Sequence, residues 1–286
     1  MPHVEFTRSG SDKTELYFQG WEPDRGLKAA VCLVHGLGEH TGRYAHVAAA
    51  LNAADFAVLG FDQRGHGKSP GPRGHIPSLN VTMDDVALLL REAAARYAGK
   101  PCFLYGHSMG GAWVLNYALR RLAQQRTTAP SVTGVIATSP ALRTAAPPPP
   151  IKVALGKVMC RLVPAMQMAN ALDLPGLSRD PVVIAAYTAD PLVHDRISAR
   201  LGVDLLESGA WALAHAAEFP AIPLLLVHGA ADRLTSAAAT QEFAARVPGE
   251  CTLKLWEGFY HETHNEPEKA QVLAFLVDWL LEHTGN

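Results

Sequence analysis

Six apolar runs recur along the chain, and most close on Gly, Ser or Asp. They are AVCLVHG (30–36), FAVLGFD (56–62), CFLYGHS (102–108), VTGVIATSP (132–140), PLLLVHGAAD (223–232) and CTLKLWEG (251–258). Near-continuous runs of this kind predict strands covered on both faces. Two earlier stretches, HVEFTR (3–8) and TELYFQGW (14–21), read as strands joined by SGSD in a hairpin-like opening. TELYFQG at 14–20 looks like a protease-cleavable linker, but its alternation suits a strand and its Glu is out of the usual order.

Helical periodicity fills the gaps. Met83, Val86, Leu89, Leu90, Ala93, Ala94 and Tyr97 recur at three- and four-residue spacing, with Asn80 or Thr82 as the expected cap. Further helices are expected over 43–53, over AWVLNYALRRLAQQ after Ser108, and from about Glu266 to Glu282. Repeated βα units imply an α/β fold, a doubly wound, mostly parallel sheet with helices on both faces. The rhythm breaks at 141, before four prolines at 147–150. The expected organisation is a core over 1–140, a helical cap inserted over 141–205, and the rest of the core over 206–286.

Bulk properties narrow the class. A chain of 286 residues with 48% hydrophobic positions suits one domain carrying an insertion. A net charge of −2, from 25 basic and 27 acidic residues, gives no footprint for nucleic acid. No apolar run reaches the roughly 18–20 residues of a membrane-spanning helix, and no signal-peptide pattern opens the chain. Cys32, Cys102, Cys160 and Cys251 read as free thiols, so a soluble, cytoplasmic protein is expected.

The candidate chemistry starts at Gly106-His107-Ser108-Met109-Gly110, a G-x-S-x-G pattern between a strand and a helix. A turn that lifts the Ser hydroxyl above the sheet strains the backbone and leaves room only for Gly two residues away on each side. A serine nucleophile needs a base, and the base needs an orienting acid. Asp232 follows the strand at 223–232, and His261 follows the strand at 251–258, in the order Ser, acid, His. His264 competes as the base, one helical turn on. The amides of Met109 and Leu37 are the candidate oxyanion donors. The spacing H-E-x-H at 261–264 does not match a zinc helix, so no metal and no organic cofactor is expected. His35, His107 and His228 read as loop-orienting residues, and Asp62 as a pin for the loop 63–67.

At this point the chain resembles the α/β-hydrolase superfamily, in its monoacylglycerol lipase and lysophospholipase-like branch. The resemblance rests on HGLGEHTGRY (35–44), FDQRGHGKSPGPRG (61–74), GHSMGG (106–111), DPLVHDRISARLG (190–202), HGAADRLT (228–235) and FYHETHNE (259–266). It implies an α/β-hydrolase fold, a triad of Ser108, Asp232 and His261, and an oxyanion hole at Leu37 and Met109. It favours His261 over His264 as base. It further implies that Glu39, Arg43 and His264 face the polar alcohol of the substrate. Glu39 and Arg43 equally fit a salt bridge at the entry of a helix, and His264 a supporting histidine.

Ile151, Leu155, Val158, Met159, Leu162, Val163 and Met166 recur at helical spacing between Lys152, Lys157 and Arg161. That pattern fits a cap helix packed on the body, or one touching a lipid surface. The expected activity is serine carboxylester hydrolysis of monoacylglycerols or similar single-chain esters. Lysophospholipase and acyl-thioesterase activity use the same triad, and a ligand-binding receptor with little turnover is the competitor from another class. Oligomeric state is left open.

Overall fold

The apolar runs become strands because each sits between two helical layers. The computed structural model describes residues 2–123 and 131–285. The chain opens on an antiparallel hairpin, β1 (His3–Ser9) and β2 (Glu15–Trp21). There follow β3 (Ala29–Val34), α1 (Ala45–Ala53), β4 (Phe56–Phe61), α2 (Leu79–Arg96), β5 (Cys102–His107), α3 (Met109–Tyr117) and β6 (Gly134–Thr138). Between β6 and the next strand of the main sheet lie α4 (Pro150–Leu162), β7 (Gln167–Ala169), α5 (Pro181–Ala189), β8 (Arg196–Ser198) and α6 (Ala199–Ala214). The chain returns with β9 (Leu224–Gly229), α7 (Ala237–Ala244), β10 (Cys251–Trp256) and α8 (Lys269–His283).

Among the described residues the main sheet runs β1-β2-β4-β3-β5-β6-β9-β10, antiparallel at the opening hairpin and β2–β4, and parallel from β4 onward. All of TELYFQG but Thr14 lies inside this sheet, with Phe18 opposite Phe61. The strands β3, β4, β5, β6 and β9 are buried throughout, whereas β10 is half-buried at the edge. One face packs Met83, Leu89, Trp113, Leu201 and Phe243 from α2, α3, α6 and α7. The other packs Val47, Leu51, Leu276 and Trp279 from α1 and α8. Each such side chain contributes about 1.5–3 kcal/mol on leaving water. This is the α/β-hydrolase arrangement, and it brings the carboxyl ends of the parallel strands to one edge.

Several element ends differ from the sequence reading for local reasons. The cap of α2 is Ser78, not Asn80 or Thr82: Ser78 is extended and its hydroxyl accepts from Val81 N at 3.2 Å. A short 3₁₀ turn, Thr41–Tyr44, precedes α1 and is capped by His40. The last helix starts at Lys269 because Glu266 is extended ahead of Pro267. After Ser108 the helix passes into a wider π-helical turn over Ala118–Leu122, and 124–125 lie outside the described residues. The insertion contains two three-residue strands, β7 and β8, too short to register as alternation. Position 205 falls inside α6, whose Gly209 approaches Ala141 and Leu142 so closely that a Cβ would meet their carbonyls at 2.6 Å. None of the residues of α4 is buried.

Candidate active site

Ser108 stands where β5 ends and α3 begins, with φ 54° and ψ −115°, a left-handed conformation costly for a residue with a Cβ. The crowding that imposes it is visible on both sides. A Cβ at Gly106 would sit 2.2 Å from the Gly110 carbonyl oxygen, and one at Gly110 would sit 2.1 Å from that of Val34. The Ser108 N–H donates to Thr138 O at 2.9 Å, and its own carbonyl accepts from Ala112 and Ala141. These bonds hold the turn in β5–β6 register.

The Ser108 hydroxyl lies 2.9 Å from His261 Nε2, and His261 Nδ1 donates to Asp232 Oδ2 at 2.7 Å. With Nδ1 carrying the proton, Nε2 is free to accept from Ser108. The His261 backbone is held too: its carbonyl accepts from Ser139 Oγ at 2.7 Å. Asp232 is enclosed and fully engaged. Its Oδ1 accepts from the Leu234 and Thr235 amides, and its Oδ2 from His228 Nε2 at 3.0 Å and Thr235 Oγ1 at 2.8 Å. Burial works against its charge, but His261 and the donated hydrogen bonds hold the carboxyl well below the ordinary range. Burial likewise disfavours a charged His261, and here Asp232 outweighs it, so the imidazole is raised. His107, buried beside His261, is pushed down to about 3 by burial and by His261.

Leu37 lies in the loop after β3. That loop is pinned at three points: Gly36 N–H donates to Glu39 Oε1 at 2.6 Å, His35 Nδ1 donates to Gly36 O at 2.8 Å, and His194 N–H from the insertion donates to Gly38 O at 2.9 Å. Met109 is the first residue of α3, where an N–H has no carbonyl one turn behind it. Leu37, Ser108 and His261 line one cleft of about 20 Å³, together with Glu39, Glu262, Leu172, Leu177 and Leu234. Leu172 and Tyr187 also line an adjoining cavity of about 490 Å³.

The remaining candidates divide. Arg43 pairs with Glu39 at 2.6 Å and with both oxygens of Glu262 at 2.7 and 2.8 Å, so the helix-entry ion pair exists and is nearly enclosed. His264 is 1% exposed, stacks on Tyr44 and packs against His107, away from the cleft lining. Burial holds it neutral, well below its usual pKa. Asp62 accepts from the Thr41 amide and hydroxyl and from the Lys68 amide, tying the loop after β4 to the turn before α1. Sequence reasoning missed His228 and Thr235 as partners of Asp232, Glu262 as the main partner of Arg43, and Tyr187, which covers Arg43 with its ring 4.6 Å away. An acidic residue directly after the candidate base was the available signal for Glu262; Tyr187 had none.

A family model described as serine aminopeptidase, S33 (Hydrolase_4) matches residues 25–268. An uncharacterized abhydrolase domain-containing protein of Dictyostelium discoideum is 38% identical over 96% of the chain, which spans 29% of that protein's length. A monoacylglycerol lipase of Mycolicibacterium smegmatis is 36% identical over 98% of the chain and 97% of its own length. The crystal structure of Paleococcus ferrophilus monoacylglycerol lipase superposes with a TM-score of 0.83 at 38% identity, covering 94% of this chain and 99% of the other.

Proposed function

The chain belongs to the serine aminopeptidase, S33, family of hydrolases, and from that membership we propose a serine carboxylester hydrolase acting on monoacylglycerols or similar single-chain fatty esters. The observation that carries the reading is the unbroken path from Ser108 through His261 to Asp232, at 2.9 and 2.7 Å, with Ser108 and His261 on a cleft lined by both leucine and glutamate residues.

The steps follow from that geometry. His261 Nε2 takes the Ser108 proton as Oγ attacks the ester carbonyl. The resulting oxyanion is received by the Leu37 and Met109 amides, each contributing about 3 kcal/mol. Asp232 orients the imidazole and stabilises its cation. His261 then protonates the departing alcohol, and a water activated by the same imidazole releases the fatty acid. Among the lining residues, Leu172, Leu177 and Leu234 suit the acyl chain and Glu39 and Glu262 the alcohol.

The insertion acts in this reading as a cap over 141–205. A cleft of about 20 Å³ holds about one water, far below the several hundred Å³ of a ligand pocket. Substrate therefore enters when cap side chains such as Leu172 and Tyr187 move and join the cleft to the larger cavity. The exposed stripe Ile151, Leu155, Val158 and Leu162 beside Lys152 and Arg161 suits transient contact with a lipid surface. No helix among the described residues is long and apolar enough to cross a membrane. The four unbridged thiols, with Cys32 and Cys102 sulfurs 3.4 Å apart, fit a reducing, cytoplasmic setting.

A peptidase reading has one observation in its favour: two acidic residues, Glu39 and Glu262, are among those lining the cleft, and a carboxylate is the group that would hold a substrate's ammonium. A hydrolysis panel decides between them. Cleavage of 1-oleoylglycerol and of acyl aryl esters, lost in Ser108→Ala, is the expected result. Turnover of aminoacyl arylamides with no ester cleavage overturns it.

A further inference from the structure

The loops that carry the acid and the base are tied together by the core. Ala231 N–H donates to Phe259 O at 3.0 Å. Ser139, after β6, donates its hydroxyl to the His261 carbonyl at 2.7 Å, and its own carbonyl lies 3.1 Å from Thr235 Oγ1. The segment between β6 and β9 ties the same two loops a second time, through a 3₁₀ turn at Leu174–Gly176. That turn meets the base loop by main chain: Gly176 O accepts from the His261 N–H at 3.3 Å, and Leu177 O from the Glu262 N–H at 2.7 Å. It meets the acid loop by charge and close packing. Asp173 Oδ2 lies 2.8 Å from Arg233 Nη2, and a Cβ at Gly176 would sit 2.8 Å from Leu234 Cδ1 and 3.3 Å from Arg233 Nε.

Arg233 stands in the middle of this junction. It directly follows the acid Asp232 and precedes Leu234 and Thr235, whose amides hold Asp232 Oδ1 at 2.7 and 3.1 Å. A shift of residue 233 therefore moves the donors that orient the carboxyl. Its guanidinium pairs with Asp173 and lies over the Tyr260 ring, 5.2 Å from its centre, and Tyr260 directly precedes the base. A planar cation suits that double contact, one edge for a carboxylate and one face for a ring. The side chains of the pair are 46% and 45% exposed, so it adds little to stability. Arg233 is not among the residues lining the cleft, and no step of the mechanism above uses it.

We propose that Arg233 is a positioning residue for the triad, and that Asp173 holds it in place. The proposal rests on the triad of the reading above and not on the identity of the ester. Proton transfer from Ser108 needs the imidazole and the carboxyl in register, and a misplacement of about 1 Å costs up to about 100-fold in rate. Braced against Asp173 and Tyr260, Arg233 keeps the acid loop in register with the base loop.

The test measures kcat and KM on 4-nitrophenyl octanoate, the rate of fluorophosphonate labelling at Ser108, and the urea midpoint. Arg233→Met and Asp173→Ala should each lower kcat by about 10- to 100-fold with KM little changed. Labelling should slow in step, and the urea midpoint should stay where it is. The double variant should be no slower than the slower single one, because both remove the same contact. Arg233→Lys, which keeps a cation beside Asp173, should recover most of the rate. Arg8→Met breaks a pair with Glu92 on the opening hairpin, far from this junction in the sheet, and should leave kcat unchanged. An unchanged kcat in Arg233→Met overturns the proposal. A loss in Arg233→Met with none in Asp173→Ala also overturns it, by assigning the effect to the arginine charge alone. A fall in kcat accompanied by a lower urea midpoint overturns it by making the pair structural. Neither labelling nor ester cleavage in the unmodified protein sinks the parent reading and this one together.

Discussion

His228 Nε2 stands 3.0 Å from Asp232 Oδ2, the same oxygen that receives the His261 Nδ1 proton. Its other nitrogen, Nδ1, accepts from the Thr240 hydroxyl at 2.8 Å, so His228 is held as the tautomer that donates to the carboxylate. The oxygen that serves the base is thereby held by a second imidazole. His228→Phe removes that donor and strands Thr240. We expect a stability loss of about 1–3 kcal/mol in urea unfolding, together with a reduced kcat. A variant with unchanged stability and rate would make the contact incidental.

Ser108→Ala should lower ester hydrolysis by at least ~10³-fold and abolish labelling by a fluorophosphonate, with the circular dichroism spectrum retained. The strained φ of 54° adds a second outcome. Ser108→Gly relieves that strain and should raise stability by about 1–2 kcal/mol while leaving the protein inactive. A lower melting temperature in Ser108→Gly would show that the turn stores no strain.

The pH profile follows from His261. The base must be neutral to accept the serine proton, and Asp232 favours the cation, so its pKa is raised. The rate, as kcat/KM, should therefore climb with pH along a limb centred above the ordinary imidazole value of about 6.5. Asp232→Asn removes that cause: the limb moves to lower pH, and the rate falls by about 10⁴-fold. The same shift stabilises the fold below the unfolded imidazole value, and that contribution is lost as pH rises through the folded one. A limb at or below the ordinary value in the unmodified protein would contradict the geometry.

Arg43→Ala leaves Glu39 and Glu262 buried together with no cation between them. Breaking a buried pair from one side typically costs about 3–5 kcal/mol, and urea unfolding should register a loss of that order. Arg43→Lys keeps the charge but not the fork, and should fall between the two. Stability unchanged in Arg43→Ala would mean the carboxyl groups had taken up protons at little cost.

Fold class was legible because strands such as AVCLVHG and PLLLVHG are buried on both faces and carry no polar interruption. Ser108, Asp232 and His261 could be named because each stands just past a strand end, where side chains distant in sequence converge. The ends of α2 and α8 were less legible, since several polar residues competed to cap α2 and Pro267 delays the start of α8. Glu262 and Tyr187 were illegible as partners of Arg43. That pairing spans 219 positions for Glu262 and depends on how the insertion folds back over the sheet, which no local pattern encodes.

The segment between β6 and β9 is stitched to the loops after β3 and β4 by main-chain atoms. His194 N–H reaches Gly38 O, Ser198 N–H reaches Gly74 O at 2.8 Å, and Cβ atoms at Gly38 and Gly74 would strike the carbonyls of His194 and Arg196 at 2.5 and 2.1 Å. Transplanting this segment onto another hydrolase, or replacing it with a foreign one, is then not a matter of joining two ends. A graft that omits residues 194–198, or a host with any residue but glycine at either contact, would leave the loop carrying Leu37 without its upper support.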